Sequence, residues 1–140
     1  MLMTSIDWND EFKLGLPAMD SDHQELLELT NQFLATAQEQ GSLSSVLNIL
    51  DRLILRTRAH FLAEERLLDR HGYPGLAIHK SEHERLLSQL DTLRGRFGEA
   101  DQADQTHGLT LEAAEFLQNW LLDHIKVNDK PYRPFLMSLV

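Results

Sequence analysis

Seven side chains able to bind a metal are spread along this 140-residue chain with regular spacing. His23 stands alone, His60 and Glu64 are four apart, His79 and His83 are four apart, and His124 precedes Asp129 by five. Imidazole nitrogen and carboxylate oxygen are the donors on offer. The chain has no cysteine, hence no thiolate nucleophile, no iron–sulfur ligation, no Cys-type zinc knuckle and no disulfide framework. Residues four apart on a helix are stacked neighbours, so each four-spaced pair can present two donors to one metal. Five imidazoles and two bridging carboxylates supply about nine bonds, and a solvent-derived bridging oxygen roughly two more, against about twelve positions on two octahedral metals. About one position stays open. Mixed nitrogen and carboxylate donors at that coordination number suit iron better than tetrahedral zinc or the all-oxygen sites of magnesium and calcium. An open place on a reduced iron pair is a place for dioxygen.

Positioning such donors requires helices, and the breakers cut the chain into four. Residues 1–19 carry Gly15 and Pro17 among Trp8, Phe12, Leu14 and Leu16, the pattern of an irregular arm anchored by its aromatics. Asp20 or Ser21 is the expected cap of a first helix that runs to about Gln40 before Gly41. A second starts near Ser42 or Ser44 and ends at His71-Gly72, with Tyr73-Pro74-Gly75 as the turn. A third runs from Leu76 to Phe97, and after a polar connection (Glu99 to Gly108) a fourth runs from Thr110 to Asn128. Pro131 and Pro134 break a short tail, 130–140. Each segment repeats apolar residues at three-four spacing, and no strand is expected. The fold class is all-α: one domain over 1–140, with residues 20–129 an antiparallel up-down-up-down four-helix bundle.

The histidines continue the inward rows of these helices: His23 lies three before Leu26, His60 seven after Leu53, His79 three after Leu76 and His124 seven after Leu117. Buried without partners, each such group would cost a few kcal/mol, so something must satisfy them. Level along the bundle agrees. His23 starts its helix, His60 and Glu64 come late in theirs, His79 and His83 early, and His124 and Asp129 last, which in an antiparallel bundle is one end. The five-residue step from His124 to Asp129 lands roughly 140° off its face in a regular helix, so a π-type widening or frayed end is expected within 125–129.

A formal charge of -9 repels nucleic-acid backbones and anionic lipid, and no apolar run approaches the length of a membrane span. The expectation is a cytoplasmic protein without nucleic-acid partners or membrane insertion. His79-Lys80-Ser81-Glu82-His83 also spells the inverted zinc-protease motif, but that reading leaves His23, His60 and His124 unemployed. Paired Glu-x-x-His motifs of ferritin-like di-iron enzymes are missing. His71, seven residues beyond Glu64, is read as a helix C-terminal residue and His107 as solvated. Asp22, Glu65, Glu82 and Glu84 are read as ordinary solvent-facing charges.

With the segments MDSDHQELL, HFLAEE, YPGLAIHKSEH and WLLDHIKVNDKPY in place, the chain resembles bacterial hemerythrins over nearly its whole length. The resemblance implies two non-haem irons bridged by Glu64, Asp129 and an oxo or hydroxo group, with His79, His83 and His124 on one iron and His23 and His60 on the other. It implies that dioxygen binds reversibly at the iron with two imidazoles, inside an apolar pocket formed by Leu26, Phe61, Trp120, Leu121 and Ile125. The implied role is oxygen carriage, storage or delivery rather than enzymatic turnover. Di-iron peroxidase or nitric-oxide chemistry, oxygen or iron sensing and iron storage are the alternatives on the same site. Oxygen affinity, oligomeric state and any client protein are not legible.

Overall fold

The computed structural model describes residues 5–99 and 103–138. Four long helices dominate: α1 (Pro17–Gln38), α2 (Leu43–Arg70), α3 (Leu76–Glu99) and α4 (Ala103–Asp123). Each packs on its successor and α4 returns to α1, giving the expected antiparallel four-helix bundle, with no strand among the described residues. No helix is long and apolar enough to cross a membrane.

The helix ends follow local chemistry, with two departures from the sequence reading. Helix α1 begins at Pro17, not at a cap on Asp20 or Ser21. Proline fits a first helical position because its fixed φ is helical and its missing N–H would have had no partner there. The Asp20 carboxylate instead accepts from the backbone N–H groups of Leu14 at 2.8 Å and Gly15 at 3.2 Å, clamping the turn in which Gly15 takes a φ of 81°. At α2 the Ser42 hydroxyl accepts from Ser45 N at 3.1 Å, a cap in the expected place. Its far end closes through Gly72, at a φ of 68°, with Tyr73 N donating to Leu68 O at 2.9 Å. His71 is the exposed cap residue of that end.

The second departure is at α4, which starts at Ala103 and takes in most of the expected polar connection. His107 is therefore helical and half-buried rather than solvated. Polar composition there reflects a helix with one wet face, which period-counting from apolar residues overlooks. Beyond Asp123 the chain widens into a π-helical turn, His124–Asp129, the first of the two distortions that the five-residue step allowed. The tail is not merely broken by its prolines. It forms a 3-10 turn (Lys130–Tyr132) and a short helix, α5 (Arg133–Met137), whose Pro134 sits in the first turn where it costs no hydrogen bond.

Two apolar clusters result. The larger runs through the bundle from Val46, Leu50, Leu90 and Phe97 to Phe61, Trp120 and Ile125. The smaller joins Leu14, Met19, Leu68, Tyr132 and Leu136, where arm and tail close the end of the bundle. Arg133 Nε pins the two together by donating to Leu14 O at 2.8 Å. Farther along the arm, Asn31 clamps Ile6 by bonding both its N–H and its C=O, at 2.9 and 2.8 Å.

Candidate metal centre

All seven candidate ligands are brought together between these clusters, and none exceeds 5% exposure. Glu64 is the hub. Its Oε1 lies 3.0 Å from His83 Nε2 and against His79 Nε2, while Oε2 lies 3.2 Å from His60 Nε2 and 3.9 Å from His23 Nε2. Asp129 is placed by the π turn, which rotates its carboxylate back toward His124. Its Oδ2 sits 2.8 Å from His23 Nε2 and 2.9 Å from His124 Nε2, and Oδ1 sits 3.2 Å from His79 Nε2. His71 and His107 do not join, and Glu82 pairs with Arg85 at 2.7 Å instead of entering the cluster. The protease reading thereby loses its glutamate.

Beyond the contacts of His79 and His83 with Glu64, nearness here is not hydrogen bonding. Both nitrogens of His23 and His124, Nε2 of His60 and both oxygens of Asp129 are buried with no partner of hydrogen-bond geometry, although His23 and His124 approach Asp129 within 3 Å. Such atoms are aimed at common points rather than at one another, since a hydrogen bond needs direction as well as distance. Orphaned buried donors and acceptors on this scale are rare in native proteins, and cations at those points would satisfy them. The donor set therefore fits metal. It divides into two groups whose atoms lie within 4.8 Å of one another: His23, His60, Glu64, His124 and Asp129, and Glu64, His79, His83 and Asp129. Both carboxylates belong to both groups, the arrangement bridging requires. His124 falls with His23 and His60, whereas the resemblance groups it with His79 and His83. Its ring centroid is 5.6 Å from that of His83, 5.9 Å from His23 and 6.0 Å from His60, so it faces both.

Three residues that spacing alone did not single out hold the ligands. His60 Nδ1–H donates to Asp22 at 2.9 Å, and His83 Nδ1–H donates to Glu65 at 2.9 Å. A carboxylate only accepts, so Nδ1 carries a proton in each ring and Nε2 is the nitrogen that faces the cluster. Asp22 and Glu65 are thus half-buried partners of the ligands and not the free surface charges expected of them. The available clue was that each adjoins a ligand in sequence, a weak one because its target lies on another helix. Tyr132, wholly buried, donates its hydroxyl to Glu64 Oε2 at 3.2 Å.

Charge is balanced inside the site. Burial pushes the Glu64 carboxyl up, but the imidazoles of His60, His79 and His83 beside it hold it well below the ordinary carboxylate range. Asp129 is likewise opposed by burial and by Glu64, yet His124 and His23 bring it down to about 2. For His60 burial is outweighed by Asp22 and Glu64, raising it to about 10, and for His79 by Asp129 and Glu64, raising it to about 9. Burial lowers His124. Burial and then the two carboxylates push Tyr132 far up, so its hydroxyl remains a donor.

Leu26, Phe61, Trp120, Leu121 and Ile125 are all buried and belong to the larger cluster, and Phe61 and Trp120 lie against ligand rings. Phe61 stacks on His83 with centroids 3.8 Å apart, and Trp120 lies nearly parallel to His124 at 6.0 Å.

Comparison with known proteins agrees with this geometry. Residues 14–136 match the hemerythrin HHE cation-binding domain. The bacteriohemerythrin of Methylococcus capsulatus is 32% identical over 91% of this chain and 93% of its own length. That of Stenotrophomonas maltophilia is 29% identical over 93% of this chain and 80% of its own. A crystal structure of wild-type hemerythrin superposes with a TM-score of 0.81 at 30% identity, covering 94% of this chain and 97% of the other. With its cation-binding side chains converged in a buried layer of a matching four-helix bundle, this chain belongs to the hemerythrin family.

Proposed function

We propose that this chain reversibly binds dioxygen at two non-haem irons held by His23, His60, Glu64, His79, His83, His124 and Asp129. The observation that carries the reading is the pair of buried donor groups sharing both carboxylates, backed on one side by apolar side chains. When bound, a bridged iron pair supplies two electrons to dioxygen and recovers them on release. The remaining work is done by the chain. Glu64 and Asp129, common to both donor groups, would hold both irons, and the five imidazoles would divide three to two between them. Sharing of His124 in either direction preserves that division.

Asp22 and Glu65 hold the Nδ1 protons of His60 and His83, fixing ring orientation and keeping each Nε2 available. Tyr132 holds Glu64 Oε2 from the tail side. Phe61, Ile125, Leu26, Leu121 and Trp120 exclude water from the other side, denying protons a route to bound oxygen. An apolar wall on that side suits release of the same molecule that entered. This favours carriage, storage or delivery over peroxidase or nitric-oxide chemistry.

The test is metal content together with the visible spectrum through anaerobic reduction, air and renewed removal of oxygen. Two irons per chain and a colour that comes and goes with oxygen are expected. Iron that oxidises once and stays oxidised would move the assignment to redox enzyme or iron handling.

A further inference from the structure

Helix α2 turns its buried residues, among them Leu53, Thr57, His60, Phe61, Glu64 and Leu68, toward the bundle. On the opposite side, about half a turn away, Arg52, Leu55, Ala59, Leu62, Arg66 and Asp69 form one straight, exposed row at alternating three and four spacing. Leu55 is 67% and Leu62 50% exposed, seven residues apart on the same line, with the small Ala59 between them. The charges that flank them are unused. Arg56 and Arg58 on the same helix are engaged by Glu25 and Asp91, whereas among the described residues the side chains of Arg52, Arg66 and Asp69 have no partner, although Arg66 and Asp69 are only three apart.

We infer that this row is the contact face for a second copy of the same chain, with the two α2 helices antiparallel about a two-fold axis. The order of charges selects the occupant and its direction. Run antiparallel with the axis between Ala59 and Leu62, the row sets Arg52 opposite the second copy's Asp69, lays Leu55 along the aliphatic stem of its Arg66, and packs Leu62 over its Ala59. A two-fold makes every such contact twice. A parallel pairing would set Arg52, Arg66 and Asp69 each against itself, three like-charge clashes. Ala59 near the centre allows close approach of the backbones, and Leu55, Ala59 and Leu62 form the apolar middle of a seam closed by charges at its ends. The face lies on the back of the helix that carries His60 and Glu64, so pairing leaves the metal layer untouched.

Sedimentation equilibrium of the metal-loaded full chain, from about 10 μM to about 1 mM, decides the matter. The expected result is a concentration-dependent dimer. Leu62→Asp should abolish it with helix content and iron content unchanged; should that variant misfold, Leu55→Gln takes its place. Arg52→Asp should weaken the dimer by roughly fivefold or more, and Arg52→Asp combined with Asp69→Arg should restore it. A chain that stays monomeric throughout, or a dimer indifferent to both leucine variants, overturns the inference. A charge swap that fails to restore the dimer overturns the antiparallel pairing.

Discussion

The two ends of the bundle are built by opposite rules. At one end Val46, Leu50, Leu90, Leu93, Phe97 and Ala113 meet through apolar surface, and the buried Thr110 hydroxyl is satisfied within its own helix by Thr106 O at 2.7 Å. At the other, five imidazoles and two carboxylates occupy the positions where such side chains would sit. The apolar end is stabilised by shape, and each contact is individually small and replaceable. The ligand end is stabilised by partnership, so the loss of one group strands several others. A helical bundle can support such a layer only because the rest of its length is conventionally packed.

The strongest way to break this comparison is to remove the hub. Glu64→Ala should abolish binding of both metals and lower unfolding free energy by about 3–5 kcal/mol, since His79 and His83 lose their shared acceptor and His60 its neighbouring carboxylate. Metal analysis and chemical denaturation would measure both, and a fully loaded variant would defeat the assignment of Glu64 as a bridge. Leu50→Ala, at the other end, should cost about 2–5 kcal/mol of stability and leave metal content intact. Loss of metal in that variant would mean the two ends are not separable.

A third comparison uses acidity. In chelated protein, the stability contributed by charged His60 and His79 is fully present below their ordinary value of 6.5 and is lost as pH rises through about 9 and about 10. Glu64 and Asp129 act in the opposite sense, contributing above the ordinary carboxylate range and failing as pH falls, for Asp129 through about 2. His124, lowered by burial, also disfavours acid. The melting temperature of chelated protein should therefore fall from pH 6.5 to pH 10. Metal-loaded protein, whose imidazoles ligate in neutral form, should show no such alkaline decline. Parallel curves would show that these pairs do not govern the stripped site.

Smaller effects sharpen the picture within the ligand end. Asp22→Asn should weaken metal affinity about 10–100-fold by releasing the His60 ring while changing helix content little. Competition with a chelator reads this directly, and unchanged affinity would reduce Asp22 to a surface charge. Tyr132→Phe removes one hydrogen bond to Glu64 and should cost about 1 kcal/mol, with a modest shift in the visible spectrum of the loaded site.

The sequence by itself determined the helical class, three of the four helix starts to within a few residues, and the seven candidate ligands that the fold brings together. These rest on spacings of three to seven residues, and helical geometry converts such spacings into a face and a level without reference to the rest of the chain. The five-residue step between His124 and Asp129 called for a π-type widening or a frayed end, and the chain takes the first. The early start of α4 escaped the same reasoning because its first turns carry polar residues that show no apolar period.

Only the tertiary structure decided who holds the ligands. Asp22 meets His60 across 38 residues, Glu65 meets His83 across 18, and Tyr132 meets Glu64 across 68. A carboxylate beside a ligand in sequence looks the same whether it faces solvent or a neighbouring helix. Which of these it does is fixed by the rotation of one helix against another, a property of the packed bundle and of no single segment.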